Sequence, residues 1–482
     1  MNNSKVSPIR KKNIAVVGSG VSGLSCAWLL SQVHDVTLYE KDDRLGGHSN
    51  TVSFNLPTDS KSRAHTANDS AEKVDVDTGF IVYNPINYPN LVQLFKYFNV
   101  ENCKTEMSFG ISINEGQLEY SGTGLRGLFS QKSNLLKPKF WGMIRELTRF
   151  YRDAEALEQK YELDNISLGD LLERENYGKS FIYDHLLPMG AAIWSTPVDK
   201  MLNYPASSFM RFCRNHGLVQ LKDRPQWRTV VGGSINYVNK LAEHFQGELK
   251  LNSRIHRIIR RDGFVYIEDH HGKQDCYDEV VLACHSDQAL ALLDQASDEE
   301  QRLLSCFPYQ RNKAYLHTDD SLMPKRKQAW SAWNYLSAGK RDQSQQVCVT
   351  YWMNRLQPLS TETDLFVSLN PIKEPKPDKI IRSFFYDHPE FGKNALSAQK
   401  ELWSLQGKQQ TWFCGAYFGY GFHEDGLQAG LAVAEQLGGI ERPWQLDEPS
   451  NRIHVSPRHA TSIINNTANN SAKTNNNLAS GS

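Results

Sequence analysis

The segment Ile14–Gly47, IAVVGSGVSGLSCAWLLSQVHDVTLYEKDDRLGG, constrains the fold of this chain more than any other. An apolar run, Ile14 to Val17, predicts a buried strand and ends in Gly18-x-Gly20-x-x-Gly23. Behind it Val21, Leu24, Trp28 and Leu29 recur at helical spacing, and a second apolar run, Val36–Tyr39, is closed by Glu40. Strand, glycine turn, helix and strand form a βαβ unit of the kind that holds a dinucleotide. Gly18 permits the tight turn, Gly20 lets backbone approach a pyrophosphate, and Gly23 lets helix and strand pack closely. The N–H groups at the helix start face the phosphates. Ser19 lies inside the turn, and Lys41 follows Glu40; both join the candidate set. Glu40 stands 22 residues after Gly18, where a carboxylate accepts both ribose hydroxyls and repels a 2′-phosphate, which disfavours NADP.

The chain carries its own control. Gly122-x-Gly124-x-x-Gly127 fits the same pattern but follows a polar hairpin at Asn114–Gly116, and no strand closed by an acid comes after it. It reads as a glycine-rich loop. The N-terminal copy is the one complete fingerprint, and it is followed by Arg44-Leu45-Gly46-Gly47-His48. A glycine doublet there lets the chain run beside a longer cofactor, with Arg44 placed to neutralise phosphate. One fingerprint followed by this doublet favours a single FAD over NAD.

Composition removes several other classes. With 482 residues, two intertwined domains are expected. Lys plus Arg and Asp plus Glu both number 54, so no basic surplus supports a nucleic-acid partner. The eight cysteines are scattered without a CxxC pair, and His270-His271 beside Asp269 and Gly272 reads as a solvated hairpin turn, so no metal site is expected. The first residues, MNNSKVSPIRKK, lack an apolar core, and no run approaches the ~18 apolar residues of a membrane span. The expectation is a cytoplasmic protein, at most peripheral to the inner membrane.

Along the chain, Val74–Val82 reads as strand, turn and strand after a polar insertion at Thr58–Lys73. Phe140, Ile144, Leu147, Tyr151, Ala154, Leu157 and Tyr161 mark one face of a long helix. Its basic neighbours Lys137, Lys139, Arg145, Arg149 and Arg152 suit either a solvated face or contact with a membrane surface. Gly232-Gly233-Ser234 opens a helix, Leu249–Ile259 reads as a strand, and Asp278–Cys284 reads as a parallel strand returning to the nucleotide domain. Trp412–Gly415 is a short strand leading through glycines into the small-residue helix Leu427–Ala434. From about Ser450 the Asn/Ser/Thr-rich composition cannot bury a core, and a disordered tail is expected.

These ordered fingerprints resemble the flavin-containing amine oxidase superfamily, in the bacterial branch of predicted NAD/FAD-binding proteins. The resemblance rests on GxGxxG with Glu40, Arg44-x-Gly46-Gly47, Asp77-x-Gly79, Gly232-Gly233-Ser234, Val280–Ala283 and Gly415 to Gly430. Phrases such as VDTGFIVYN, AAIWSTP and CGAYFGYGFHEDG add to it. It implies an α/β fold: an FAD-binding Rossmann-like domain of the glutathione-reductase and amine-oxidase type, with an intertwined α+β substrate domain. The expected FAD-binding parts are 12–90, 229–300 and 406–445, the substrate parts 91–228 and 301–405, and the tail 450–482.

The resemblance also implies residue roles. Gly18 and Gly20 would meet FAD phosphates, Glu40 the ribose, and Arg44, Gly46, Gly47 and His48 the phosphate and ribityl portions. Gly79 and Phe80 would lie against the isoalloxazine, and the Ile255 backbone would meet adenine beside the Ala283 strand end. Phe422 and His423 would present N–H groups to the flavin edge from the last helix, and Lys313 falls near a lysine that holds a water at flavin N5. Two departures stand out. Gly415 is followed by Ala416 where many relatives have an acid, and Phe422 replaces a tyrosine of the amine-guiding cage. The expected reaction is therefore hydride transfer from an apolar, fatty-acyl or polyene-like small molecule or lipid, in a desaturation or isomerisation. Trp194, Tyr351, Trp352 and Phe422 are the candidate pocket residues. Oxygen, a quinone or another acceptor would reoxidise the flavin. An amine oxidase and a non-catalytic flavin-binding protein are the alternatives.

Overall fold

The computed structural model describes residues 10–56, 72–194, 198–218, 225–338 and 348–456. The chain divides into two compact units, and the first comprises Met1–Leu45, His244–Cys306 and Leu396–Ser482. Its centre is a parallel sheet in the order Thr411–Phe413, Glu279–Leu282, Asn13–Val17, Asp35–Tyr39, Glu248–Lys250. Strands covered on both faces need continuous apolar runs, and Ile14, Ala15, Val16, Val280, Val281 and Leu282 are fully buried. The crossover helix Val21–Leu30 is buried along its whole length. The last helix, His423–Gly438, packs on it so closely that a Cβ at Gly430 would stand 2.2 Å from the Ser22 carbonyl oxygen. Ser22 Oγ donates to the Gly426 carbonyl oxygen at 2.8 Å, so the first turns of the two helices lie side by side.

The expected strand Leu249–Ile259 is two strands. Glu248–Lys250 joins the parallel sheet, and Ile255–Arg261 starts an antiparallel sheet with Phe264–Asp269 and Gln274–Tyr277. The break falls at Asn252, in the left-handed region at φ 52°, where the N–H groups of Asn252 and Ser253 donate to the carbonyl oxygens of Asp42 and Glu40. His270-His271 lies in the exposed turn of this sheet, and no metal-holding cluster exists among the described residues. After the last helix the chain runs back along it. Arg442 pairs with Glu435 and donates to the Pro449 carbonyl oxygen, Arg452 reaches Asp425 at the opposite end, and Ile453 is buried. Order thus extends past Ser450, correcting the expected start of the tail, because two arginines find buried carboxylates. Residues 457–482 lie outside the described residues.

The second unit comprises Gly46–Glu243 and Phe307–Ala395. Its seven-stranded sheet runs Ile380–Pro389, Tyr309–His317, Phe366–Leu369, Cys348–Trp352, Trp333–Leu336, Phe109–Ile113, Leu118–Ser121. Neighbours are antiparallel except Trp333–Leu336 against Phe109–Ile113. Two strand pairs flank it, Thr51–Leu56 with Glu72–Asp77 and Asn102–Thr105 with Trp227–Val230. Val52, Val74 and Val76 share one buried cluster with Leu316, Met353 and Val367. The expected insertion Thr58–Lys73 joins the first pair and lies almost wholly outside the described residues. The long helix forms over Pro138–Lys160 and buries Phe140, Met143, Phe150, Ala154 and Leu157. Arg149 on it donates to the Glu175 carbonyl oxygen and covers the Tyr177 ring, and Arg152 pairs with Asp153.

Two local expectations change. Phe80–Val82 forms no strand; instead Phe80 N–H donates to the His48 carbonyl oxygen at 2.8 Å, and Thr229 Oγ1 donates to that of Ile81. The second glycine pattern is not all loop, since Gly124–Leu128 is a short helix. The units also cut the chain differently from the expected domains. Residues 46–90 and 229–243 belong with the second unit, and 396–405 with the first.

Candidate functional site

In the first unit the glycine turn is built for close approach. Gly18 has φ 102° and donates its N–H to the Tyr39 carbonyl oxygen at 2.8 Å, tying the turn to the second strand. A Cβ on Gly23 would stand 1.9 Å from the Gly18 carbonyl oxygen and 2.9 Å from the Ala283 Cβ, so Gly23 and Ala283 set the contact between helix start and sheet. Around Gly20, by contrast, a Cβ would meet nothing within 4 Å. Open backbone at a helix start, beside the first turn of a second helix, is where an anionic diphosphate gains most from two aligned helix dipoles. The residues present therefore fit the pyrophosphate of a dinucleotide.

Glu40 caps this turn. It is 7% exposed, and its Oε2 accepts from Ser19 N–H at 2.9 Å and Ser19 Oγ at 2.5 Å, while Oε1 accepts from Asp42 N–H at 3.0 Å. The three donors orient the carboxylate and leave Oε1, with a single donor, the lone-pair capacity for a hydroxyl. Lys41 is exposed and Arg44 half-buried two and three positions beyond Asp42 and Lys41 in the same segment. Ile255 opens the antiparallel sheet at the far side of the loop bonded to Glu40 and Asp42.

At the same edge of the sheet Gly415 leads from the strand Thr411–Phe413 into a turn, Ala416–Phe418. Phe422 was expected to offer its N–H outward. It donates to Asp425 Oδ2 at 2.8 Å instead, because a carboxylate in the first helical turn captures the residue that precedes the helix. His423 begins the helix, and burial pushes its imidazole down to about 3, leaving it neutral. Asp425 is fully buried, which pushes its carboxyl up, while Arg452 opposes that shift. Arg452 stands with Nε 2.7 Å from Oδ1 and Nη2 3.1 Å from Oδ2. Neither Asp425 nor Arg452 was singled out in the sequence, where an EDG triplet and one arginine in a polar tail carry no signal.

In the second unit Gly46 and Gly47 both take positive φ, and a Cβ on Gly46 would stand 2.8 Å from the Ser49 carbonyl oxygen. Gly79 and His48 are brought together, since a Cβ on Gly79 would be 2.2 Å from the His48 carbonyl oxygen. The His48 ring lies 5.1 Å from Tyr386 and 5.4 Å from His388, and the Tyr386 hydroxyl meets Thr78 Oγ1 and Asn50 Nδ2. Two motifs read separately are one structure: Asp77 accepts from Ser234 N–H and Oγ, from Thr51 Oγ1 at 2.5 Å and from Gln357 Nε2. Burial pushes the Asp77 carboxyl up to about 6 against those donors. Gln357 had no sequence signal.

The remaining candidates lie apart in this unit. Trp194 is buried against Tyr204, Phe209 and Phe212. Tyr351 packs edge-on to Trp333, and Trp352 packs on Trp330 and donates Nε1–H to Asp364. Lys313 pairs with Glu374 at 2.8 Å with its side chain 40% exposed, the setting of a surface ion pair.

A parallel sheet with a glycine turn, an acid closing the second strand and a close-packed second helix define a dinucleotide-dependent oxidoreductase. The chain belongs to the flavin-containing amine oxidoreductases, whose family model matches residues 21–437. A search among curated proteins finds no match. Solved structures of similar fold include a CLA-producing fatty acid isomerase from P. acnes, at 15% identity and TM-score 0.57, covering 88% of this chain and 98% of that one. Wild-type putrescine oxidase bound to putrescine matches at 13% identity and TM-score 0.61, over 89% and 99% of the two chains. The cyclohexylamine oxidase of Brevibacterium oxydans matches at 13% identity and TM-score 0.59, again over 89% and 99%.

Proposed function

We propose that this chain binds FAD and oxidises or isomerises an apolar substrate, a fatty-acyl chain or polyene, by accepting a hydride from its C–H bond. The observation that carries the cofactor is the open face of Gly20 beside two helix starts, with Glu40 oriented by Ser19 and Asp42. Bound FAD would supply the hydride acceptor at its N5, and the protein supplies binding and orientation. Gly18, Gly20 and Gly23 hold the turn against the diphosphate, Glu40 accepts ribose hydroxyls and excludes a 2′-phosphate, and Lys41 and Arg44 add positive charge. Phe422 in place of a cage tyrosine supports an apolar substrate, and so does the fold shared with a fatty acid isomerase. Lys313 stays outside this proposal because Glu374 holds its ammonium group.

The fold shared with putrescine and cyclohexylamine oxidases favours a second reading, amine oxidation with release of peroxide. One experiment separates them. The purified protein is loaded with FAD, checked for visible flavin absorbance, and mixed anaerobically with oleic acid, with a carotenoid, and with a panel of amines. Bleaching by the fatty acid or polyene alone supports the proposal, and bleaching by an amine with peroxide in air supports the second reading. An isomerisation returns the hydride and leaves the flavin coloured, so a shifted double bond in the recovered lipid also supports the proposal, and neither bleaching nor altered product with any of them marks a non-catalytic flavoprotein. A protein that stays colourless after FAD is added refutes the cofactor.

A further inference from the structure

Within the second unit, the segment Gly122–Arg145 carries Arg126, Lys132, Lys137, Lys139 and Arg145 and not a single Asp or Glu. It folds as the helix Gly124–Leu128, a 3₁₀ turn over Lys132–Leu136 and the start of the helix Pro138–Lys160. Four large apolar side chains here face solvent: Leu125 is 75% exposed, Leu135 48%, Leu136 86% and Trp141 47%. They adjoin one another. The Phe129 and Trp141 rings meet at a tilt with centroids 5.5 Å apart, Trp141 Nε1–H donates to the Leu135 carbonyl oxygen at 2.9 Å, and Phe129 N–H bonds the Leu125 carbonyl oxygen. Single exposed leucines need no explanation, but four large apolar groups on adjoining turns mark a contact surface. The 3₁₀ turn Lys327–Ala329 packs beside the helix Gly124–Leu128, and this stretch adds Lys325 and Lys327, both exposed.

We propose that this face docks on the surface of an anionic lipid bilayer, with Leu125, Leu135, Leu136 and Trp141 seated in the interfacial layer and the lysines and arginines on lipid phosphates. The charge decides between occupants. The same patch on a second copy carries the same cations and is repelled, whereas an anionic leaflet attracts every cation of the patch. Tryptophan at a membrane–water boundary and long cationic side chains reaching to headgroups are the residue types such contact requires. Docking would be peripheral, since no helix among the described residues is long and apolar enough to cross a membrane. The carboxylates bordering the segment are engaged: Glu146 accepts from Gly178 N–H, Asp184 is buried within 3.9 Å of Lys139, and Glu119 is fully buried against Arg326. On the long helix, Arg149 is held by the Glu175 carbonyl oxygen and the charge of Arg152 is offset by its neighbour Asp153, so both stay outside the surface.

The test is co-sedimentation of the full-length protein with vesicles of phosphatidylcholine alone and of equal parts phosphatidylcholine and phosphatidylglycerol. The expected result is binding to the anionic vesicles, released by salt, and little binding to the neutral ones. Lys132→Gln/Lys139→Gln should weaken it by roughly fivefold per cation removed, and Leu125→Ser/Leu136→Ser by at least about tenfold. These exposed positions leave the core intact, and a thermal melt like that of the wild type verifies each variant. Absence of sedimentation with anionic vesicles at low salt overturns the proposal. So does equal binding of the leucine variant, or a wild-type dimer in solution that Leu136→Glu dissociates, which would assign the face to a second copy. The assay needs neither flavin nor substrate, so vesicle binding by a protein that turns over only soluble amines would leave this surface standing while the apolar-substrate reading fell.

Discussion

Gly20 and Gly23 belong to one short motif, yet the structure gives their replacement opposite consequences. Gly20 has φ −60° and ψ 176°, which alanine adopts, and a Cβ there meets nothing within 4 Å. Gly20→Ala should gain ~0.4–1 kcal/mol from the restricted unfolded chain and lose a similar amount as a poorer residue ahead of a helix. The apoprotein should unfold within about 1 kcal/mol of wild type. At Gly23, alanine would gain ~1 kcal/mol of helix propensity. Its Cβ, however, falls 1.9 Å from the Gly18 carbonyl oxygen, more than an ångström inside contact, and a backbone atom cannot swing aside. Overpacking of that size costs about 3 kcal/mol or more, so Gly23→Ala should lose roughly 2 kcal/mol or more net. FAD affinity should fall in both, by at least about a hundredfold in Gly20→Ala, because its methyl group fills the space assigned to the diphosphate. Denaturant unfolding of the apoprotein and titration with FAD followed by flavin fluorescence read the two effects separately. A Gly20→Ala protein that binds FAD like wild type would refute the placement of the diphosphate, and an unperturbed Gly23→Ala would refute the packing argument.

Glu40→Gln should keep the fold within about 2 kcal/mol and weaken FAD by roughly tenfold to a hundredfold, while Glu40→Ala should also destabilise the apoprotein by ~1–3 kcal/mol through the stranded Ser19 N–H; the same titration and unfolding assays check both. His317 is fully buried and bonded to Ser368 Oγ, and burial lowers its pKa from 6.5 to about 4. A depressed imidazole pKa leaves stability whole above pH ~6.5 and removes about 3 kcal/mol as pH falls toward 4. His317→Asn should flatten that slope in unfolding free energies measured across the range, and an unchanged slope would remove His317 as its source. Arg452→Gln should be strongly destabilising, by about 3–5 kcal/mol, and Asp425→Asn/Arg452→Gln should recover much of that loss. A double variant as unstable as the sum of the singles would contradict a charge pair.

The nucleotide unit was legible where the signal is local. Ile14–Glu40 predicts its strands, turn, helix and acid from spacing alone, since each apolar run is buried on both faces and the glycine offsets are fixed by one turn. Asp278–Cys284 and Trp412–Gly415 could be read as buried strands for the same reason. Most of what failed depended on partners distant in sequence. Nothing before Asn252 announces that its left-handed backbone breaks a strand-like run, and Phe80–Val82 looks like a strand because it is apolar, although its polar groups go to His48 and Thr229. Asp77 and Ser234 were each noticed in a motif, but the bond between them joins positions 157 residues apart. The engagement of Phe422 N–H by Asp425 was hidden because the same three-residue spacing serves equally to leave that donor outward.

The segment returning along the last helix has a consequence for where this protein can be cut. The family match stops at residue 437, yet Arg452 supplies the counter-charge for Asp425 in the turn that begins the helix. A nick anywhere between Gly439 and Pro449 would cut Arg452 loose from the helix and leave the buried Asp425 carboxylate without its counter-charge beside the Ser22–Gly426 junction. Damage after the last helix would then reach the glycine bend near the first strand, and the FAD proposed to bind there would be released long before the sheet came apart.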